Sequence, residues 1–173
     1  MKSRQHSLYD EAASTYKQAL ERLVRAYEVD MDKRRDLLQD IHLALWESFA
    51  HYESRCSLRT WVYRVAHNTA ASHVAKNRSR RTPLASLQEI EALPDSTDAE
   101  QNSGRRLALE RLLDLIYRLR PFDRQLMLLY LEGMDAESIS QIVGLSAGNV
   151  RVQIHRIKAV LVRRFHKGDP NDR

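Results

Sequence analysis

Met134-Asp-Ala-Glu-Ser-Ile-Ser-Gln-Ile-Val-Gly-Leu-Ser-Ala-Gly-Asn-Val-Arg-Val-Gln-Ile-His-Arg-Ile-Lys158 is the stretch from which the rest of the chain can be read. Asp135 can open a helix, because its side-chain oxygen can accept from a free backbone N–H two or three residues on. Ala136 to Val143 continues that helix with Ile139, Ile142 and Val143 on one face. Gly144 allows a tight or left-handed turn, since it has no Cβ to clash. Ser146 offers a second cap. From Ala147, Val150, Ile154, Ile157 and Leu161 recur at spacings of four, three and four, the period of a second helix. Two helices joined by a Gly-containing turn form a helix-turn-helix, whose second helix suits the DNA major groove. Residues 146–167 carry six Lys/Arg and no Asp or Glu, so the second helix brings positive charge to that role. The competing reading is a plain helical hairpin with a solvated basic face.

Working outward, the 173 residues allow one domain or two small ones. Five Gly and four Pro among abundant Leu, Ala, Glu, Arg and Gln predict an all-α chain. No apolar run of membrane-spanning length occurs, and the N-terminus leads into an amphipathic segment, so membrane insertion is not expected. The single cysteine, Cys56, cannot form an internal disulfide, which fits a reducing, cytoplasmic compartment. The net charge of +5 is segmented. Residues 54–81 hold seven Lys/Arg and no acid, and residues 82–104 hold five acids and no base. Two basic stripes separated by an acidic segment suggest two contacts with a polyanion.

Helical stripes fill the remainder. The first runs from Leu8 to Tyr27, and a second, capped by Asp30 or Asp32, runs to about Phe49. Ala50 to Ser57 reads as a loop. A third helix spans Leu58 to Ala75, with Leu58, Trp61, Val62, Val65 and Ala66 facing in and Arg59, Arg64, His67, Asn68 and Lys76 largely outside that stripe. Residues 82–104, with Pro83, Pro94, several Ser and the acid run, predict a flexible linker. Arg105 to Leu119 is helical again, and Pro121 suits the first turn of a helix that stops at Gly133. The expected layout is two small helical domains, 1–81 and 105–173, joined by the linker 82–104.

Three stretches carry a family resemblance. Asp36-Leu-Leu-Gln-Asp-Ile-His-Leu-Ala-Leu-Trp46 resembles the region-2 helix of sigma factors of the sigma-70 family. Leu58-Arg-Thr-Trp-Val-Tyr-Arg-Val-Ala-His-Asn-Thr-Ala70 is similar to the promoter-melting, minus-ten-reading segment of the extracytoplasmic-function (ECF) group. Gly144-Leu-Ser-Ala-Gly-Asn-Val-Arg-Val-Gln-Ile-His-Arg156 resembles that group's region-4 recognition helix. The order of the three is more specific than a lone helix-turn-helix. The chain departs from the pattern at Ser138 and Ser140, where the family usually has Glu and Ala, and at Asn149, where Thr is usual.

The resemblance implies a factor that binds core RNA polymerase, directs it to a promoter and helps open the duplex. It places Gln39, Asp40 and Leu43 against the beta-prime clamp helices and docks region 4 on the beta flap. It assigns the minus-ten element to Ser54, Arg55, Ser57, Arg59, Arg64, Asn68, Lys76, Arg78 and Arg80. The minus-thirty-five element falls to Ser146, Gly148, Asn149, Arg151, Val152, His155 and Arg156. It also implies an anti-sigma factor as partner. The residue chemistry agrees: Asn68 has the donor and acceptor to read a base edge, and the Lys/Arg set suits phosphates.

Plainer readings stand beside these. Trp61 at helical spacing from Leu58, Val62 and Val65 reads as core, Asn68 could satisfy a local backbone group, and Asp40 could be a solvated charge. The histidines and Cys56 show no zinc spacing, so no metal and no cofactor are expected. No phosphate-cradling Gly loop or nucleophile arrangement occurs, so the chain is not expected to be an enzyme. The competing function is an autonomous helix-turn-helix regulator whose first 81 residues sense a ligand or dimerise. A third is a protein-interaction module with basic faces for an acidic partner.

Overall fold

The structure is a computed structural model that describes residues 4–76 and 104–166. Of the expected site residues, Arg78 and Arg80 lie outside the described residues, as does nearly all of the predicted linker 82–104. The described residues form eight α-helices: α1 (Arg4–Thr15), α2 (Lys17–Tyr27), α3 (Met31–Ser48), α4 (Leu58–Lys76), α5 (Gly104–Arg118), α6 (Pro121–Leu131), α7 (Ala136–Val143) and α8 (Ala147–His166). A 3-10 turn, Phe49–His51, follows α3.

Local chemistry explains most of the boundaries. Asp30 caps α3, accepting from the Asp32 and Lys33 amides at 3.0 and 3.1 Å. Asp135 caps α7 from the Ser138 amide at 2.7 Å, and that bond holds its carboxyl below the usual range. Gly144 ends α7 in the left-handed conformation at φ 75°, where an L side chain would be strained. Ser146 accepts from the Asn149 amide at 3.3 Å and so starts α8. Pro121 occupies the first turn of α6, where its missing N–H costs nothing.

The predicted single helix from Leu8 to Tyr27 is instead two helices that meet at Tyr16, which has φ −104° and ψ 9°. Just before the break, the Ser14 hydroxyl bonds back to the Asp10 and Glu11 carbonyls at 2.8 and 3.0 Å. Such back-bonding perturbs a helix. Tyr16 itself turns to meet Tyr63 edge to face, ring centres 6.1 Å apart.

Helix α4 is the centre of the molecule. It packs on α2 and α3 on one side and on α6 and α7 on the other, while α5 leans on α2. The buried residues accordingly form one continuous cluster from Ala12 to Leu161. This corrects the expectation that His67 lies outside the inward stripe: it is 1 % exposed. The extra burial has a simple cause. A three-helix bundle would cover one side of α4, but here the second half of the chain covers another, taking Tyr63, His67 and Ala70 with it.

His67 makes a pH-dependent contribution to stability. Its Nδ1 lies 3.1 Å from the Tyr27 hydroxyl, and its Nε2 is buried with no partner, so the neutral ring sits where an imidazolium would be desolvated. Burial pushes its pKa down to about 3, against a smaller opposing pull from Glu132. Burial also lowers the pKa of His42 and of His73, and His73 Nε2 lies 3.1 Å from the Glu28 carboxylate. The unfolded chain therefore binds more protons below the ordinary imidazole range. Stability is full above about pH 6.5 and falls toward pH 3, His67 alone contributing up to about 1.4 kcal/mol per pH unit. Denaturant titrations of wild type and His67→Gln between pH 7.5 and 5 check this. The variant's midpoint is expected to be the flatter of the two with pH, and parallel curves would assign the slope to other groups.

Candidate nucleic-acid and polymerase interfaces

Helix α3 separates two roles by helical period. Leu37, Ile41 and Leu45 are fully buried, whereas Gln39, Asp40 and Leu43 are exposed on the outer side. Leu43 is 58 % exposed, an apolar side chain left in water amid polar neighbours. His42 is not a free polar position: it is half-buried, 3.1 Å from the Tyr9 hydroxyl.

The residues assigned by resemblance to minus-ten contact divide into a loop set and a helix set. In the loop, Tyr52 donates from its hydroxyl to the Cys56 carbonyl at 2.8 Å, tying the two ends together. Ser54 has φ 60°, an uncommon conformation for a residue with a Cβ, and its hydroxyl accepts from Arg4 at 3.3 Å. Arg55 pairs with Glu53 at 2.6 Å. Ser57 caps α4, accepting from the Thr60 amide at 3.1 Å. Cys56 is partly buried and unpaired. Trp61 is half-buried rather than fully core, with its indole N–H donating to the Ser48 hydroxyl at 3.0 Å. His51, Glu53, Arg55, Cys56, Trp61, Arg64 and Gln141 line a pocket of about 500 Å3 at this corner. Among the described residues, no group of three or more His, Cys, Asp or Glu is placed to hold a metal ion.

On α4, Asn68 and Lys76 are exposed, but Arg59 and Arg64 are not simply solvated. Arg59 donates to the Glu132 carbonyl and lies over the Tyr63 ring at 5.7 Å. Arg64 donates to the Gln141 carbonyl at 2.8 Å and lies over the Trp61 ring at 5.8 Å. Their partners, Glu132 and Gln141, belong to the far half of the chain and were missed in the sequence. Glu132 follows a helix and precedes Gly133, and nothing local marks it as a partner of α4.

The minus-thirty-five set fares differently. Ser146, Gly148, Asn149, Arg151, Val152, His155 and Arg156 are all exposed, opposite the buried Val150, Ile154, Ile157 and Leu161. They form one outward face of α8. Glu137 on α7 pairs with Arg151, a contact within the helix-turn-helix that the sequence did not reveal. Asp123 on α6 is close enough to feel Arg120 and Arg156, although burial raises its carboxyl above the usual range. Lys158 turns aside, its ammonium 2.9 Å from the Tyr130 hydroxyl. Among the described residues no helix is long and apolar enough to cross a membrane.

Comparison with known proteins follows the same division. The family model for Sigma-70 region 2 matches residues 13–80, and that for Sigma-70, region 4, matches residues 109–161. The chain is 25 % identical over 146 residues to the RNA polymerase sigma factor YlaC of Bacillus subtilis, covering 83 % of each chain. It is 28 % identical over 136 residues to the ECF RNA polymerase sigma-E factor of Haemophilus influenzae, covering 73 % of this chain and 71 % of that one. Two solved folds are similar. CnrH, in complex with the cytosolic domain of CnrY, has a TM-score of 0.67 at 18 % identity, covering 93 % of this chain and 89 % of CnrH. RpoE, in complex with the anti-sigma factor NepR from Bartonella quintana, has a TM-score of 0.67 at 20 % identity, covering 95 % and 98 %.

Proposed function

The chain belongs to the sigma-70 family and is an alternative sigma factor of the ECF type for RNA polymerase, and from that premise we propose which surfaces carry the work. Residues 1–81 bind core polymerase and read and open the minus-ten element, residues 82–104 link, and residues 105–173 read the minus-thirty-five element. Gln39, Asp40 and Leu43 meet the beta-prime clamp helices. Exposed apolar side chains of the second unit, Phe122 and Leu131 among them, offer surface to the beta flap. Opening is driven by binding energy, since the factor acts as a ligand of polymerase and DNA and not as an enzyme. The work takes place in the bacterial cytoplasm, with an anti-sigma factor as a further partner.

The observation that carries this reading is the coincidence of the region-4 match with an α8 face that is exposed, basic and free of acids. Run-off transcription on genomic fragments with added core enzyme tests it. Promoter-dependent transcripts are expected only when chain and core are both present. Specific duplex binding by the chain alone, unaltered by core, would favour the autonomous regulator.

The polymerase contact makes a further prediction. Burying Leu43 in a partner's surface removes its apolar area from water, and truncation forfeits roughly 1–2 kcal/mol of that. Leu43→Ala is therefore expected to weaken core binding by about 5- to 30-fold. Its thermal melting is expected to be unchanged, because the side chain is already exposed. Fluorescence anisotropy against core enzyme measures the first and calorimetry the second. Unchanged affinity would take Leu43 out of the interface.

A further inference from the structure

Helix α1 is fixed to the corner where α3 ends, and its first residue reaches the loop that leads into α4. Gln5 donates from its side-chain amide to the Trp46 carbonyl at 2.7 Å. His6 and Tyr9, three positions apart and so on one face of α1, meet the Trp46 ring edge to face with centres 5.4 and 5.5 Å away. The Tyr9 hydroxyl lies 3.1 Å from His42 Nδ1. These contacts hold the start of α1 beside the 52–57 loop. From there Arg4 donates from Nη2 to the Ser54 hydroxyl at 3.3 Å, across 50 positions of chain.

Ser54 is the point of the loop that needs holding. Among the described residues it is the one non-glycine position with a positive φ, 60°. A residue with a Cβ keeps that conformation only where its surroundings fix it. The ends of the loop are secured within the loop and α4, by the Tyr52 hydroxyl on the Cys56 carbonyl at 2.8 Å and by the Ser57 hydroxyl on the Thr60 amide at 3.1 Å. Arg55 pairs with Glu53 at 2.6 Å, again within the loop. The Arg4 bond is what ties the tip, Ser54, to a separate helix. Glu53, Arg55 and Cys56, on either side of that tip, line the pocket of about 500 Å3 together with Trp61.

We propose that Arg4 is a positioning residue for the minus-ten element: through the Ser54 hydroxyl it holds the tip of the 52–57 loop, and so sets how strictly that loop discriminates between bases. The proposal rests on the sigma-factor reading and on Ser54, Arg55 and Ser57 as minus-ten contacts. Discrimination needs polar groups held in place before the base arrives, because a group that can follow a wrong base no longer penalises it. A loop released at Ser54 can relax toward an ordinary φ, which turns the peptide that leads into Arg55. Charge attraction is a different matter. It acts over a longer range and tolerates such a movement, so the loss falls on base preference and spares affinity for phosphates. Arg4 acts here through a neutral hydroxyl, which separates its role from that of the lysines and arginines on α4.

A double-mutant cycle of Arg4→Ala and Ser54→Ala in the full-length factor, assembled with core enzyme, tests this. The template is a promoter recovered by run-off transcription, with each minus-ten position changed in turn to the other three bases. Opening rates from permanganate reactivity give the base preference, and filter binding at several salt concentrations gives the affinity of the closed complex and its salt slope. Arg4→Ala is expected to narrow the preference by about three- to fivefold at one or two positions, the scale of a single exposed charged contact, with the salt slope unchanged. On the Ser54→Ala background the same change is expected to have no further effect, since the bond it removes is already gone. Circular dichroism establishes that the variants are folded. Folded Arg4→Ala with unchanged preference would overturn the proposal. An equal loss on both backgrounds, or a shallower salt slope, would also overturn it and make Arg4 a direct phosphate contact. In each of these cases wild-type run-off activity still stands, whereas failure of wild type itself to direct run-off would strike at the sigma-factor reading.

Discussion

Arg156→Ala is expected to weaken promoter binding by the holoenzyme by about 1–3 kcal/mol, a loss of roughly 5- to 150-fold, and to relax base preference at one position of the upstream element. The argument is geometric. Ile154 and Ile157 are buried on one side of α8, which forces His155 and Arg156 to the other. Arg156 is exposed, and Asp123 on α6 feels its charge. A guanidinium so placed can present two parallel N–H groups to a guanine edge. Arg151 is a useful contrast. Its pair with Glu137 holds it toward α7, so part of what Arg151→Ala removes is an intramolecular contact. Footprinting titrations at two salt concentrations separate the cases. Loss of a base contact changes sequence preference, whereas loss of a phosphate contact lowers affinity uniformly and reduces the salt slope. Unchanged affinity and unchanged preference would remove Arg156 from the reading set.

The second large effect concerns opening and not binding. Asn68→Ala is expected to slow promoter opening by roughly 5- to 150-fold, the cost of leaving a base edge without its polar partner being about 1–3 kcal/mol. Asn68 is exposed on α4 while its neighbour His67 is buried, so its amide can be removed without disturbing the core. It carries no charge. Attraction from Arg59, Arg64 and Lys76 to phosphates is therefore unaffected by the substitution, and closed complexes are expected to form as in wild type. Weaker permanganate reactivity at the start site, with much of the loss rescued on a pre-opened bubble template, is the expected pattern. A variant that opens linear duplex as well as wild type does, or one that the bubble fails to rescue, would end this role for Asn68.

Period, caps and turn chemistry were legible in the residues because each is local. Asp30, Asp135, Ser146 and Pro121 act on backbone groups within three residues, and the left-handed turn at Gly144 follows from its missing Cβ. The outward face of α8 was equally readable, since a 3.6-residue period places it opposite Val150, Ile154, Ile157 and Leu161 whatever else the chain does. The break at Tyr16 was only partly readable, because the Ser14 back-bonding is local whereas the ring contact with Tyr63 is made 47 positions away in the chain. The burial of His67 was not either. One apolar stripe predicts one covered face, and α4 is covered on two by elements more than forty residues apart in sequence.

Likewise, arginines at 59 and 64 announce an affinity for anions, but a positive charge does not say whose anion it meets. The residues alone determined that the protein is helical, that it carries two basic surfaces and a helix-turn-helix, and which α8 side chains face out. Only the tertiary structure decided that the two halves share a core, and that Glu132 and Gln141 engage Arg22, Arg59, Tyr63 and Arg64. The physical reason is range. Helix caps and periods are settled within a few residues of chain, whereas the partner of a long, flexible, charged side chain depends on where the rest of the molecule brings a complementary group.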